Sequence, residues 1–394
     1  MLNLAKYDIT PERGFLSTYN IDEVILPPLF APIIEAGAML SDYLSTGCVR
    51  KFLDKVPEIK VTEFLKVATE QQVRTAMVHY SFIVQAYIWG EKEPSDRLPR
   101  NLAVPYYEIS QKLEQFPLLP YSAYVLDNWG MFDKTGPISL ENIYMVQNFL
   151  KGLDENWFVM VHVAIEATAG RALSAIPALL EAAEKKDTQG VIKGLTTVRD
   201  TWKDINPIMG RMIESCDPYT YYTRVRPYIH GWKNNPALPQ GVLYEGVDAF
   251  GGKHMEFRGQ TGSQSSIVPT MDALFQIDHA MDPLREYLLE LHQYRPIKHR
   301  MFIEDVQKHS KLRDFAQNSR NAEVVDLYND CVSLVAAFRT MHLEYAASYI
   351  NKQAAKDGTN STEVGTGGTP FMKYLKKHRD ESTKHLLEKP KAVA

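Results

Sequence analysis

The sequence contains few cysteines and no long run of apolar residues. Cys48, Cys216 and Cys331 are widely separated and provide neither a Cys-x-x-Cys pair nor an even set for a disulfide framework. This pattern favours a reducing compartment, and we predict a cytoplasmic protein. No stretch of about 18 consecutive apolar residues occurs, and the first residues lack the apolar segment of a secretory signal peptide. We therefore expect no membrane span and no secretion signal.

An excess of charge of one sign is also missing. The chain has 44 Lys and Arg residues against 48 Asp and Glu residues, which gives a formal net charge of -4. A weakly acidic protein does not attract nucleic acid or anionic lipid in bulk, so we predict neither as a partner.

The usual signatures of zinc enzymes, serine hydrolases and nucleotide-binding proteins are absent as well. The eleven histidines form no His-Glu-x-x-His or His-x-His pattern, and no Gly-x-Ser-x-Gly occurs. The segment GTGGT at 365–369 lacks the Lys-Ser/Thr ending of a phosphate-binding loop. These chemistries are therefore not favoured.

Apolar residues recur with a period near 3.6 along most of the chain, which predicts a mainly α protein. A chain of 394 residues exceeds one ordinary core, so we predict a smaller α-rich N-terminal domain (1–148) and a larger helical domain (149–394). The clearest predicted helices are 155–186, 188–215, 268–292, 296–308, 322–353 and 369–388. The best strand signal, at 241–247, predicts a small hairpin.

Three segments interrupt the helical pattern. Prolines break residues 97–130, which predicts a connector lying against the larger domain. Two glycine-rich segments, 250–266 and 356–370, have the length of functional lids or disordered loops.

Histidine occurs on two apolar helix faces. His342 shares a face with Phe338 and Tyr345, and His162 shares one with Phe158 and Ile165. Each could be a core histidine whose ring nitrogens bond a nearby carbonyl or carboxylate. Alternatively, one coordinates a haem iron and the other faces the open coordination position. Periodicity alone does not separate the two interpretations.

An arginine follows an aromatic pair in the segment DPYTYYTRVRPYIHGW (217–232). Arg226 comes four residues after Tyr222 and five after Tyr221. It could be an arginine stacked on a surface tyrosine. It could equally be a bidentate clamp for a substrate carboxylate, with aromatic rings packing the apolar part of the substrate.

Several longer segments, in this order and spacing, resemble the indoleamine 2,3-dioxygenase family. They are LPYSAYVLDNW, RPYIHGWKNNPALPQGVLYEG, FRGQTGSQSSIVPTMDALFQIDH, YRPIKHRMFIEDV, AAFRTMHLEY and GTGGTPFMKYL. The resemblance covers about residues 115–385 and is fainter towards the N-terminus. It implies a mainly helical protein in which a small N-terminal domain covers a larger domain holding one haem b.

The resemblance also implies an activity and its partners. The reaction inserts both atoms of O₂ into the indole C2–C3 bond of L-tryptophan, or of a related indoleamine, and gives N-formylkynurenine. We expect a monomer or a weak homo-oligomer. The alternatives are a haem O₂-binding protein of the same fold without dioxygenase activity and a haem enzyme acting on another indole derivative.

On the haem side, the resemblance assigns four residues. His342 matches the proximal iron ligand, and Asp272 matches an acidic residue on that side, which could orient the imidazole. Arg339 matches a position near the haem propionates, and Gly262 lies in the small-residue loop over the haem.

On the substrate side, Arg226 matches the residue that binds the substrate carboxylate. Thr261 and Gly262 belong to the loop over the haem, and Thr366 matches a mobile-loop residue that closes on the amino-acid end of the substrate. The aromatic positions that match walls of the pocket are Tyr121, Tyr124, Phe158, Tyr221 and Tyr222.

Two positions depart from the vertebrate pattern. His162 replaces a serine and is similar to a histidine of the separate tryptophan 2,3-dioxygenases, which faces the indole N–H. We therefore expect His162 to accept a hydrogen bond from that N–H and, with Arg226, to form the catalytic pair. Tyr221 replaces a phenylalanine and adds a hydroxyl group to the pocket.

Overall fold

The computed structural model describes residues 2–279, 281, 283–353, 366 and 371–388. The predicted loop 356–370 therefore lies outside the described residues except for Thr366. The other glycine-rich segment, 250–266, is described.

The described residues are mainly helical, which confirms the predicted fold class. The α-helices are α1 Ala31–Ala38, α2 Leu40–Ser45, α3 Val49–Leu53, α4 Thr62–Val67, α5 Glu70–Trp89, α6 Arg100–Lys112, α7 Leu153–Lys185, α8 Thr188–Gly210, α9 Pro218–Thr220, α10 Ile267–Phe275, α11 Pro283–His292, α12 Ile297–His309, α13 Leu312–Asn318, α14 Ala322–Ala346 and α15 Phe371–Lys384. Short 3₁₀ turns lie at Leu4–Tyr7, Ile21–Glu23, Pro28–Phe30, Arg211–Glu214, Arg226–Ile229, Asp248–Phe250 and Gly262–Gln264. Wider π turns lie at Ser122–Leu126, Tyr221–Val225 and Ala347–Asn351.

Two small sheets accompany the helices. Strand β4 (Val242–Tyr244) pairs antiparallel with β5 (His254–Met255) and parallel with β1 (Arg97–Leu98). Strands β2 (Trp129–Met131) and β3 (Ile143–Met145) pair antiparallel. The predicted pairing near 241–247 is present, but β1 joins it from far away in the sequence.

Helix α7 is the central element behind the site. Asp154 and Glu155 lie in its first turn, where their negative charges interact favourably with the positive end of the helix dipole. The helix ends at Lys185, because Lys186 takes a left-handed φ of 56°. The helix is long and apolar enough to cross a membrane, but most of its apolar stretch is buried inside the protein. It packs against α8, α10 and α13 as a core helix, so its apolarity reflects the core.

Two predicted elements differ from the structure. The single helix predicted at 268–292 is divided into α10 and α11, because Gln276 takes a left-handed φ of 53° and ends α10. The connector predicted at 97–130 contains α6, which continues through Pro105 while burying Tyr106 and Ile109. Tertiary burial outweighs the loss of one backbone hydrogen bond there.

The division at residue 148 stays a prediction. The first residues of the chain pack on a late helix, since the Tyr7 hydroxyl donates to Asp305 at 2.5 Å and the Phe15 ring lies 4.5 Å from the His299 ring. The N-terminal segment is therefore attached to α12 rather than only to its sequence neighbours.

Candidate active site

A cavity of about 540 Å³ lies between α7, α10, α14 and the turn at Gly262–Gln264. This volume is within the range of about 300–1,000 Å³ typical of ligand sites. The polar side chains on its walls that are candidates for a functional role are Tyr121, His162, Glu166, Asp272, Arg339 and His342. Its apolar walls include Ile165, Trp202, Met209 and Phe338.

His342 lines the cavity from α14. The helix is capped by Asn321, whose side chain accepts a hydrogen bond from the Val324 N–H at 3.2 Å, and Val335 is buried on its core face. Burial lowers the pKa of His342 to about 4, and repulsion from His162 adds to the effect. The ring is therefore neutral at pH 7, which is the form that coordinates a metal.

His162 lines the same cavity from α7. Its Nδ1 atom is 2.7 Å from the carbonyl oxygen of Phe158, one turn earlier. Because a carbonyl oxygen only accepts, Nδ1 carries the hydrogen and Nε2 is an acceptor in the neutral ring. Burial lowers the pKa of His162, so this neutral form holds near pH 7.

Asp272 and Arg339 form a buried ion pair at the cavity wall. Arg339 Nη2 donates to Asp272 Oδ2 at 2.6 Å, and Arg339 Nη1 donates to the Ser382 hydroxyl on α15. Although burial opposes ionisation of Asp272, the charge of Arg339 and a hydrogen bond from His279 hold its pKa well below the usual range. The described hydrogen bonds of Asp272 go to Arg339 and His279 rather than to His342. The orientation of the His342 imidazole by Asp272 therefore stays a prediction.

The loop around Gly262 borders the His342 ring. A Cβ atom at Gly262 would lie 4.0 Å from His342 Cε1, so a larger side chain would enter the cavity. The Thr261 hydroxyl caps the turn by accepting from the Ser263 N–H. Arg295 fixes the turn, because its guanidinium donates to the carbonyl oxygen of Ser263 at 2.7 Å.

An aromatic cluster continues from His162. The Phe158 ring centroid is 4.7 Å from the rings of both His162 and Tyr221, and 6.5 Å from that of Tyr124. The Tyr121 ring is 6.3 Å from that of His162. Tyr121 and His162 line the cavity, whereas the other three rings pack against one another beside it.

Arg226 is fully buried (0% exposed) beside this cluster. Its guanidinium lies 5.7 Å from the Tyr222 ring centroid, and its charge acts on Tyr221 as well. Burial lowers the pKa of Arg226, but arginine remains cationic in proteins. Tyr222 is also 0% exposed. The interpretation as an arginine stacked on a surface tyrosine is therefore wrong.

Thr366 connects the loop over the cavity with the Arg226 segment. Its hydroxyl donates to the carbonyl oxygen of Gln260 at 2.7 Å, and its own carbonyl oxygen accepts from the Gly231 N–H at 3.2 Å. Thr366 thus lies between the two regions that were predicted to bind substrate.

The cavity residues fit a haem group. Within the described ranges, no group of three or more His, Cys, Asp or Glu side chains could hold a metal ion, which disfavours an ion bound by protein ligands alone. One neutral imidazole, His342, set among apolar walls matches axial ligation of haem in a dry pocket. Arg339 adds a guanidinium that can face the haem carboxylates.

The chain is similar to indoleamine 2,3-dioxygenases over nearly its whole length. The model of the indoleamine 2,3-dioxygenase family matches residues 3–385. Indoleamine 2,3-dioxygenase 1 of Rattus norvegicus is 32% identical over 400 residues, which cover 98% of this chain and 96% of the relative. Indoleamine 2,3-dioxygenase 2 of Homo sapiens is 30% identical, covering 98% and 96%, and the indoleamine 2,3-dioxygenase of Saccharomyces cerevisiae is 29% identical, covering 96% and 92%. The chain belongs to the indoleamine 2,3-dioxygenase family.

As an indoleamine 2,3-dioxygenase family member, the protein is a haem-dependent dioxygenase that uses O₂ and a small-molecule substrate. The predicted family and the haem cofactor are confirmed. The roles assigned to single residues stay predictions. The structure brings one predicted group to the cavity: Tyr121, His162, Gly262, Asp272, Arg339 and His342. A second group is outside the cavity lining: Tyr124, Phe158, Tyr221, Tyr222, Arg226, Thr261 and Thr366.

The cavity lining also contains titratable residues that were not predicted from sequence, among them Glu166, His279 and Arg295. Glu166 could have been found, because it is an acidic residue one turn after His162 on the same apolar helix face. His279 and Arg295 lie outside helices and bond residues distant in the chain, so no local pattern indicates them.

Proposed function

We propose that this dioxygenase inserts both atoms of O₂ into the C2–C3 bond of the indole ring of L-tryptophan, or of a related indoleamine, and releases N-formylkynurenine. The observation that carries the proposal is the pair of neutral imidazoles, His342 and His162, that line one cavity from different helices. One imidazole can be an axial ligand. The other has an acceptor nitrogen that can bind an indole N–H.

The proposed cofactor is one haem b per chain, which supplies the iron that activates O₂ when it is bound. His342 would bind the haem iron. Arg339, held by Asp272, would face the haem carboxylates, and Gly262 leaves the space that a Cβ atom would occupy. These groups would position the cofactor.

Arg226 is the proposed clamp for the substrate carboxylate. A planar guanidinium can donate two parallel hydrogen bonds to a carboxylate, and full burial removes competing water. Phe158 and Tyr221 are in contact in the structure, so these rings have to separate for an indole to lie between His162 and Arg226. Closure of the Thr366 segment on the bound substrate would then exclude water again.

Substrate orientation is assigned to His162. The Phe158 carbonyl fixes the hydrogen on Nδ1, so Nε2 can accept the indole N–H and hold the ring plane in one orientation. Tyr121, Tyr124 and Tyr222 supply the flat walls around that plane.

We expect His162→Ala to reduce kcat/KM for L-tryptophan by roughly ten- to a hundredfold, because one hydrogen bond to a buried group is lost. The measurement compares L-tryptophan with 1-methyl-L-tryptophan, which has no indole N–H. The variant should have a lower kcat/KM than the wild type for L-tryptophan but not for 1-methyl-L-tryptophan. Equal losses for both substrates, or no loss for either, would contradict the role of His162.

The activity is tested with the purified, haem-loaded protein. It should show a Soret band and, under reducing aerobic conditions, convert L-tryptophan to a product with the absorbance of N-formylkynurenine. With isotopically labelled O₂, both labelled atoms should appear in the product. A purified protein that does not bind haem would contradict the proposal.

A second candidate is a haem O₂-binding protein of the same fold. It is favoured by the position of Arg226, which is not among the residues lining the cavity. A Soret band with reversible O₂ uptake but no turnover of L-tryptophan or of other indole derivatives would support it. We further propose that the protein is cytoplasmic and is a monomer or a weak homo-oligomer. Sedimentation of the purified protein would test the oligomeric state.

A further inference from the structure

Glu166 is a buried carboxyl group that the proposed reaction does not use. It lies on α7 one turn after His162, is 0% exposed and lines the cavity. Its Oε1 atom accepts hydrogen bonds from the Tyr121 hydroxyl at 2.9 Å and from the Ser265 hydroxyl at 2.8 Å. Its Oε2 atom has no hydrogen-bond partner in the part of the chain that the structure describes.

In the described part of the chain, the side chains that bond Glu166 are two neutral hydroxyls and no cation. Arg295 is close to the same turn but donates to the carbonyl oxygens of Ser263 and Ser265. A carboxylate buried without a cation is costly, so such a group takes up a proton instead. Because Oε1 already accepts two hydroxyl hydrogens, the proton belongs on Oε2. Burial raises the pKa of Glu166 to about 7, while the hydroxyls of Ser265 and Tyr121 act in the opposite direction.

We propose that Glu166 is a protonated carboxylic acid whose Oε2–H donates a hydrogen bond to the ligand in the haem cavity. The ligand it favours has an acceptor atom or a negative charge and lies on the α7 side of the cavity, near His162. Loss of the proton would place a negative charge in the cavity and repel an anion. The ligand part of this proposal rests on the proposed function, whereas the protonation of Glu166 does not.

Glu166 shares the cavity lining with other titratable or charged groups. They are Tyr121, His162, Asp272, Asp278, His279, Arg285, His292, Arg295, Glu304, Arg339 and His342. The pKa is lowered by burial for His162 and His342, raised by burial for Tyr121 and held low for Asp272. Burial lowers the pKa of Arg295 only to about 10. The turn that packs on the Glu166 backbone carries Glu12 and Arg13, and Arg13 is bound to the carbonyl oxygens of Ser17 and Tyr19.

His279 also borders the cavity and needs a control. Its contacts with Asp272 and Glu381 raise its pKa against the effect of burial, so it can titrate in the same range. A Glu166→Gln variant leaves His279 unchanged, and the difference between this variant and the wild type therefore isolates Glu166.

The first measurement is thermal unfolding of the wild type and Glu166→Gln from pH 5 to 8. Glutamine keeps the acceptor at Oε1 and a donor in place of Oε2–H, so it imitates the protonated acid at every pH. The pKa of Glu166 rises from its ordinary 4.5 to about 7 on folding. Its contribution to stability is therefore complete below 4.5, is lost as the pH rises towards 7 and changes no further above it. We expect the melting-temperature advantage of the variant to grow by roughly 2 °C or more between pH 5 and 7.

The second measurement is azide binding to the haem-loaded ferric protein, followed by the Soret band. At pH 6 the two proteins should bind azide within about twofold of each other. At pH 8.5 the wild type should bind roughly tenfold more weakly than Glu166→Gln, because its carboxylate repels the anion. Competition from hydroxide is common to both proteins and cancels in the comparison.

Glu155→Gln is the matched control for azide binding. Glu155 lies on the same helix and burial raises its pKa to about 7, but its oxygens accept the backbone N–H groups of Phe149 and Leu150, away from the cavity. This variant should follow the wild type at both pH values. A melting-temperature difference that stays constant with pH, or equal azide affinities at pH 8.5, would overturn the proposal. Failure of haem uptake would count against the proposed function alone, because thermal unfolding still decides the protonation of Glu166.

Discussion

His342→Ala is expected to lose haem, with a fall in affinity of at least roughly a hundredfold and disappearance of the Soret band from the purified protein. The variant removes the neutral imidazole on the α14 wall of the cavity, which is the proposed haem ligand. Dioxygenase activity should disappear with the haem. The measurement is the absorbance spectrum of wild type and variant after equal reconstitution with haem.

His79→Ala is a suitable control for this change. His79 lies on α5, where its Nδ1 contacts Gln147 Oε1 at 3.1 Å, and it is not among the residues that line the cavity. It should keep a wild-type spectrum. Adding free imidazole to His342→Ala should restore part of the Soret band, because the ligand can occupy the space of the deleted ring. A variant that binds haem with an unchanged spectrum would show that the iron ligand is another residue.

Arg226→Ala is expected to raise KM for L-tryptophan by roughly 30-fold or more with a smaller change in kcat. Removing one partner of a buried, hydrogen-bonded charge pair typically costs about 2–5 kcal/mol of binding, and binding lost equally in ground and transition states appears in KM. Arg226→Lys should give an intermediate KM, because lysine keeps the charge but not the planar pair of donors. Steady-state kinetics of the three proteins test this.

Arg224→Ala provides the control within the same segment. Arg224 is exposed two residues before the buried Arg226, so its loss should leave KM unchanged. Tryptamine, which lacks the carboxylate, should have the same KM with the wild type and with Arg226→Ala. A normal KM for L-tryptophan in Arg226→Ala would refute the clamp, and would favour the O₂-binding alternative if turnover is also absent.

The parts of this protein that the sequence predicted well are those that depend on local order. The 3.6-residue period predicted the helical class and most of α7, α8, α12 and α14. It also singled out His162 and His342, because a polar ring on an apolar helix face is visible without knowing what lies opposite. The family followed from segments whose order along the chain is itself sequence information.

The features that only the tertiary structure decided depend on residues far apart in the chain. Gln276 divides a predicted helix because its backbone is left-handed, and a glutamine in the sequence does not indicate that conformation. Glu166 is buried because segments distant in the chain cover it, and two of their residues, Tyr121 and Ser265, donate hydrogen bonds to one of its oxygens. Arg226 shows no apolar pattern of its own, yet folding removes it completely from the surface. The helical period depends on residues a few positions apart, so the helices were predictable from the sequence. Burial and charge pairing depend on which distant segments the fold brings together. The electrostatics of the site were therefore not predictable.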